Sequence, residues 1–170
     1  YEADPSHCRA LGSYLVTELA TSGHRRLLPL LRPELEAAVE ASRKRFRAGI
    51  HLPCASFEIG LFLLLLRQPY ESLAAYSKAI ELSPSETAIK DALESINKLA
   101  SALMSSMPEI EWIRRLLQVG VVAKIYQLET KARQEVRDKE WALKDCQEKV
   151  TKAGKSGQGS DVKEARRNVK

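Results

Sequence analysis

The residues of this chain that could ligate a metal, attack a substrate or hold a phosphate are few and scattered. Its three histidines are His7, His24 and His51, and its three cysteines are Cys8, Cys54 and Cys146. His7 and Cys8 are adjacent, but neighbours on a helix point in different directions. No CxxC, HxxxH or HExxH spacing occurs, so a metal site would have to gather ligands from distant segments. Three cysteines at wide spacing form no disulfide framework. Cys8 and Cys54 fall on predicted apolar helix faces, where a thiol acts as a small hydrophobe.

Gly154-Lys155-Ser156 has the ending of a phosphate-binding loop. That loop needs a glycine five residues before the Gly-Lys pair, and Lys149 stands there. It also needs a strand before it and a helix after it. A charged stretch precedes the triplet and a flexible one follows, so the plain reading is a solvated linker. Glu34, Glu36 and Glu40, like Asp138 and Glu140, belong to solvated helix faces. No serine sits in a nucleophile elbow. No enzymatic activity, metal or cofactor is therefore expected.

Charge is unevenly placed. Residues 1–123 balance 14 Lys+Arg against 14 Asp+Glu, while residues 124–170 carry 13 against 8, which is the whole formal excess of +5. The densest basic run is Arg43-Lys44-Arg45-Phe46-Arg47. Arg43, Lys44, Arg45 and Arg47 could contact phosphates or an acidic partner; the plainer reading is a solvated helix end, where cations suit the negative end of the dipole. The basic C-terminal segment lacks interleaved aromatics apart from Tyr126 and Trp141, so base stacking is not suggested.

The elements that must position these residues are helical. Glycine and proline are sparse and fall between periodic segments. Asp4-Pro5 opens a helix that carries Leu11, Leu15, Val16 and Leu19 on one face and stops near Thr21-Ser22-Gly23. Arg25 to Leu31 holds at most a short helix. Pro33 starts a better one, with Leu35, Ala38, Val39, Ser42 and Phe46 on one side and Gly49 as its C-terminal cap. Two helices follow at roughly 54–67 and 70–82. Ser83-Pro84-Ser85-Glu86 reads as a capping box that opens a helix to about Leu103. Ser106-Met107-Pro108-Glu109 repeats that signal before Ile110, Ile113, Leu116 and Leu117.

Residues 124–152 are dense in charge and contain neither proline nor glycine. Ile125, Leu128, Ala132, Val136, Leu143, Cys146 and Val150 keep spacings of three, four or seven. This predicts a long helix with a thin apolar stripe, and one use for it is a homodimeric coiled coil through residues 124–150. Lys139 interrupts that seam. Residues 153–170 read as a basic Gly/Ser-containing tail.

Residues 53–86 carry the most specific pattern. Ile59-Gly60 is followed by Ser72, Tyr76, Ala79 and Pro84, at 12, 16, 19 and 24 residues after the glycine. Small residues let two antiparallel helices approach, large ones fill the gaps, and the proline ends the unit. This segment resembles a tetratricopeptide (TPR) repeat, with Ser56 where the family prefers tryptophan and Leu63 where it prefers tyrosine. Leu11-Gly12 with Leu15 echoes the first-helix signature and hints at a degenerate unit near 5–38. In members of the family that clamp acidic C-terminal peptides, basic and amide side chains lie three before and one after the glycine. Phe57 and Leu61 stand there instead, and with Leu64 and Leu65 they make that face apolar. Its two readings are core and a groove for a partner helix.

The expectation is an all-α protein: TPR-like helical hairpins over 1–123, a charged helical extension over 124–152 and the tail. The resemblance implies a protein–protein interaction module, such as a scaffold, adaptor or regulatory domain, binding another protein or an amphipathic helix through Phe57, Leu61, Leu64 and Leu65. Two alternatives stand beside it. One is a nucleic-acid-associated helical protein using Arg43 to Arg47 and the tail. The other is the sensory domain of an enzyme whose catalytic domain is elsewhere. Tyr1 in first place suggests a chain cut from something longer. No signal peptide is seen in the polar start. The longest apolar run, Ile59 to Leu66, falls short of a membrane span. A cytoplasmic location is expected.

Overall fold

The computed structural model of the chain describes residues 7–22 and 27–167, with side chains for 8–22, 27–149, 151 and 152. The protein is all-α. Among the described residues there are seven helices and no strand: α1 (His7–Ser22), α2 (Leu27–Leu30), α3 (Arg32–Arg47), α4 (Leu52–Leu65), α5 (Pro69–Leu82), α6 (Thr87–Leu103) and α7 (Ile110–Arg167). The expected cap at Asp4 lies outside the described residues. The chain divides at Tyr126/Gln127 into a helical body and a second unit, slightly beyond the expected boundary at 123/124.

In the body, α4 is the central helix. It is apolar apart from Ser56 and Glu58, and Ala55, Ile59, Phe62, Leu63, Leu64 and Leu65 are all buried, as a helix with almost no polar face must largely be. It packs along α5 on one side and α3 on another, and it touches α1 and α6. α1 in turn lies along α6. Helices distant in sequence thus close around α4, whereas an open stack would pair only neighbours.

Two helix ends are fixed by backbone geometry. At the end of α3, Gly49 takes φ +72°, and the Ile50 N–H reaches the Arg45 carbonyl at 2.9 Å. At the end of α4, Arg67 takes φ 64°, and the Gln68 N–H reaches the Leu63 carbonyl at 2.9 Å. Both satisfy carbonyls the last turn would leave bare. Arg67 does so without the freedom of glycine, and its guanidinium donates to the Ser106 carbonyl.

The α4–α5 hairpin meets at Gly60, where the Tyr76 ring lies against the helix backbone. The Ser72 hydroxyl donates to the Gly60 carbonyl at 2.7 Å, and that of Ser56 to the Ala75 carbonyl at 2.8 Å. A tryptophan at position 56 would lack the hydroxyl that makes the second of these bonds.

The expected capping box at 83–86 does not form. The Ser83 hydroxyl donates back to the Ala79 carbonyl at 2.7 Å. α6 therefore begins only at Thr87, with no side-chain cap on its first turn. Ser106 behaves alike: its hydroxyl donates to the Leu103 carbonyl, 3.0 Å away, and α7 begins at Ile110. In both places a nearby carbonyl competes with the cap for the serine hydroxyl.

The second unit, from Gln127, is helical to Arg167. Glu129–Arg133 and Asp145–Lys149, at 2.8 and 2.7 Å, pair one turn apart along it, a spacing that supports exposed helices. The helix also continues through 153–160, where the sequence suggests a linker. A glycine inside a helix costs about 1 kcal/mol relative to alanine and does not forbid the conformation. The expected stripe is open: Leu128, Ala132, Val136, Leu143 and Cys146 are all exposed, and the Val150 side chain lies outside the description.

Candidate functional site

A cleft of about 180 Å³ opens between α1, α4 and α6, with Tyr76 of α5 reaching it from below. Its buried members, Gly12, Val16 and Tyr76, form the floor. Its walls are Phe57 and Leu61 of α4 and Ala88, Ala92 and Ser95 of α6, all partly buried. Arg9, Ser13 and Asp91 are exposed and make the rim. Small residues create this space. Gly12 allows α1 to come close enough that a β-carbon there would stand 3.2 Å from Leu61 Cδ2. The alanines of α6 leave room that larger side chains would fill.

The four residues expected on the partner face of α4 are divided. Phe57 and Leu61 line the cleft. Leu64 and Leu65 are core, 1% and 3% exposed. Leu65 lies at the other end of α4, beside Leu28, Leu103 and Met107, so the α6–α7 connection and α2 cover it. The expected continuous apolar face therefore ends one turn after Leu61.

The basic run is divided too. Arg45 turns inward and pairs with Glu58 of α4; the two side chains are 12% and 11% exposed. Ser42 completes the group, accepting from Arg45 at 2.9 Å and donating to Glu58 at 3.1 Å. Arg45 Nε is buried and has no partner among the described residues. Arg43 pairs with Glu40 at 2.7 Å, and that hydrogen bond holds the Glu40 carboxyl below its ordinary range. Lys44 and Arg47 are exposed. The cluster is thus not one open cationic patch, because its central arginine ties α3 to α4.

The floor of the cleft carries the site's most unusual group. Tyr76 is 2% exposed. Its ring meets that of Phe57 at a centroid distance of 6.0 Å, tilted by 56°. Burial pushes the phenol well above its ordinary pKa, with no other cause acting on it.

Nothing gathers around the other chemistry-bearing residues. Among the described residues, no three His, Cys, Asp or Glu side chains converge as a metal site would require. Cys8 is buried, Cys54 half-buried and Cys146 exposed, and all three thiols are free. His51 is exposed; His24 and the side chain of His7 lie outside the described residues. Gly154-Lys155-Ser156 lies within α7, where helical bonding occupies the N–H groups a phosphate loop would present. Among the described residues, no helix is long and apolar enough to cross a membrane.

Sequence reasoning reaches Phe57 and Leu61 but misses the α6 wall and the role of Tyr76 as a floor. One signal pointed toward α1: the Leu11-Gly12 echo of the repeat glycine marks the place where α1 approaches α4. No family model, curated protein or solved structure matches this chain.

Proposed function

We propose that this chain is a protein–protein interaction module and that the cleft between α1, α4 and α6 receives an apolar or amphipathic helix of its partner. One observation carries the reading. Phe57, Leu61 and Tyr76 converge on an open cleft too small for a cofactor, which typically needs about 300 Å³ or more, but large enough to seat a side chain. The TPR-like pattern of 53–86 supports it, since helical repeats of that kind serve as binding surfaces. Three free thiols suit a reducing compartment such as the cytoplasm.

Affinity capture with the full chain and with Ala92→Glu tests this. The glutamate would place a charge in the cleft from a half-buried position on α6. A cleft partner is captured by the wild type at low and high salt and is lost with Ala92→Glu, while circular dichroism shows unchanged helix. Capture that collapses with salt and fails with Lys44→Glu/Arg47→Glu, yet survives Ala92→Glu, would overturn the reading in favour of phosphate contact.

A further inference from the structure

Apart from the cleft, we infer that the outward face of α7 between Trp112 and Tyr126 binds the same face of a second copy of this chain, with the two helices antiparallel and Val119 packed on Val119 at the centre. The opposite face of this stretch is core: Ile110, Ile113 and Leu117 are fully enclosed, and Gly120 is buried against Ile80. Trp112, Val119, Val122 and Tyr126 are 47%, 66%, 68% and 69% exposed. They follow one another at spacings of seven, three and four, the narrow seam by which one helix packs along another. Tyr70 of α5, also exposed, widens the seam at one end, its ring 6.3 Å from that of Trp112. A fully buried aromatic side chain removes about 150–250 Å² from water, so these three rings leave roughly 300–500 Å² of apolar surface open. With the two valines, that is the size of patch that marks an interaction site. The seam stops after Tyr126, where the same face continues with Thr130 and Arg133.

The order of the side chains selects the occupant. Read from either end, the face runs aromatic, aliphatic, Val119, aliphatic, aromatic, with Leu116 and Val122 as the aliphatic steps. A surface that reads alike in both directions is complementary to itself about a two-fold axis. Antiparallel pairing centred on Val119 brings each Trp112 level with the second copy's Tyr126, and each Leu116 level with its Val122. It also sets Arg115 level with Ala123, whose small side chain leaves the arginine room. Parallel pairing would set Arg115 against Arg115 and crowd both Trp112 and both Tyr70 rings at one end. Glu111 and Glu129 come nearly level across the antiparallel pair, but each is neutralised within its own helix. Glu111 pairs with Arg114 and Arg115 at 2.7 and 2.8 Å, and Glu129 with Arg133 at 2.8 Å.

Light scattering over a concentration series, on the full chain and on Val119→Glu, tests the interface. The wild type should approach twice 19.0 kDa as concentration rises. Val119→Glu should stay at the mass of one chain with an unchanged circular dichroism spectrum. Cross-linking with a short bismaleimide then tests the geometry, using Val119→Cys, Trp112→Cys and Tyr126→Cys, each with Cys54→Ser and Cys146→Ser. Val119→Cys should link to itself. Trp112→Cys should not, because its two sites lie about 21 Å apart along the antiparallel pair, yet it should link when mixed with Tyr126→Cys. A wild type at the mass of one chain throughout, a dimer that survives Val119→Glu, or Trp112→Cys linking to itself as readily as Val119→Cys would each overturn the proposal.

Discussion

The Tyr76 ring lies so close to Gly60 that a β-carbon added there would stand 2.7 Å from Cδ2 and 2.8 Å from Cε2. The ring cannot retreat, because Tyr76 is 2% exposed and packed on Phe57. Gly60→Ala should therefore overpack the hairpin and cost about 1–3 kcal/mol. Gly120→Ala gives the contrast. Its β-carbon would also meet a neighbour at 2.7 Å, the Cδ1 end of Ile80, with Cγ1 and Cγ2 at 3.1 Å; Cδ1 can rotate and the branch atoms need shift only a few tenths of an ångström, whereas the Tyr76 ring is rigid. Denaturant midpoints should rank Gly60→Ala below Gly120→Ala, and the reverse order would contradict the packing described.

Tyr76 should also mark the alkaline edge of stability. Burial raises its phenol above the ordinary value of 10, so the folded chain holds that proton more tightly than the unfolded one. The resulting stability is complete below pH 10 and is lost as the pH rises beyond it. Between pH 10 and 11.5 the wild type should lose stability faster than Tyr76→Phe, by up to about 1.4 kcal/mol per pH unit. Urea titrations of both proteins at pH 9 and 11 check this; parallel losses would mean the phenol is solvated in the folded state.

The Arg45–Glu58 pair should be costly to break and cheap to replace. Both side chains are nearly buried, so Arg45→Met alone strands a carboxylate and should cost about 3–5 kcal/mol. Arg45→Met with Glu58→Leu removes both charges and should recover most of that loss. A double variant as unstable as the single one would show that the geometry, rather than the charge balance, holds α3 against α4.

Leu64 and Leu61 should separate core from cleft. Leu64→Ala leaves a cavity in a fully enclosed site and should cost about 2–5 kcal/mol. Leu61→Ala, at the edge of an existing opening, should cost less. Thermal denaturation of the two variants decides, and equal losses would mean that the cleft closes in solution.

The body has its own core, with Ile89, Ile96, Leu103, Ile110, Ile113 and Leu117 fully enclosed before residue 127. A chain ending at Tyr126 should therefore unfold cooperatively near the wild-type midpoint. Light scattering on the same pair reports whether residues 127–170 hold a dimer, as a halved mass would show.

Some of this could be read from the residues alone, and the reasons are specific. Gly60, Ser72, Tyr76 and Ala79 are legible because a close helix crossing constrains residue size at fixed offsets. Helix positions from α3 to α6 follow from periodicity and from Pro33, Pro53 and Pro69. Leu64 and Leu65 were not separable from Phe57 and Leu61, because a helix apolar all round carries no period to say which side faces water. Arg45 looked solvated because its partner Glu58 lies on the next helix, beyond any local spacing rule. Ser83 looked like a cap because its competing acceptor, the Ala79 carbonyl, is a backbone group that no side chain announces. The α6 wall is a tertiary fact: it needs α1 to lie along α6, a pairing between ends of the body that local pattern does not encode.

The serine bonds across the hairpin have a kinetic consequence. Ser56 and Ser72 each tie their hydroxyl to a carbonyl of the opposite helix, at Ala75 and Gly60. Sliding α5 along α4 by one turn would break both of these bonds and drive the Tyr76 ring off Gly60, against which it packs. The hairpin therefore has one register, and the floor and walls it contributes to the cleft are set before any partner arrives. Association should then be a single bimolecular event whose observed rate climbs linearly with partner concentration, without the plateau that a slow rearrangement would impose.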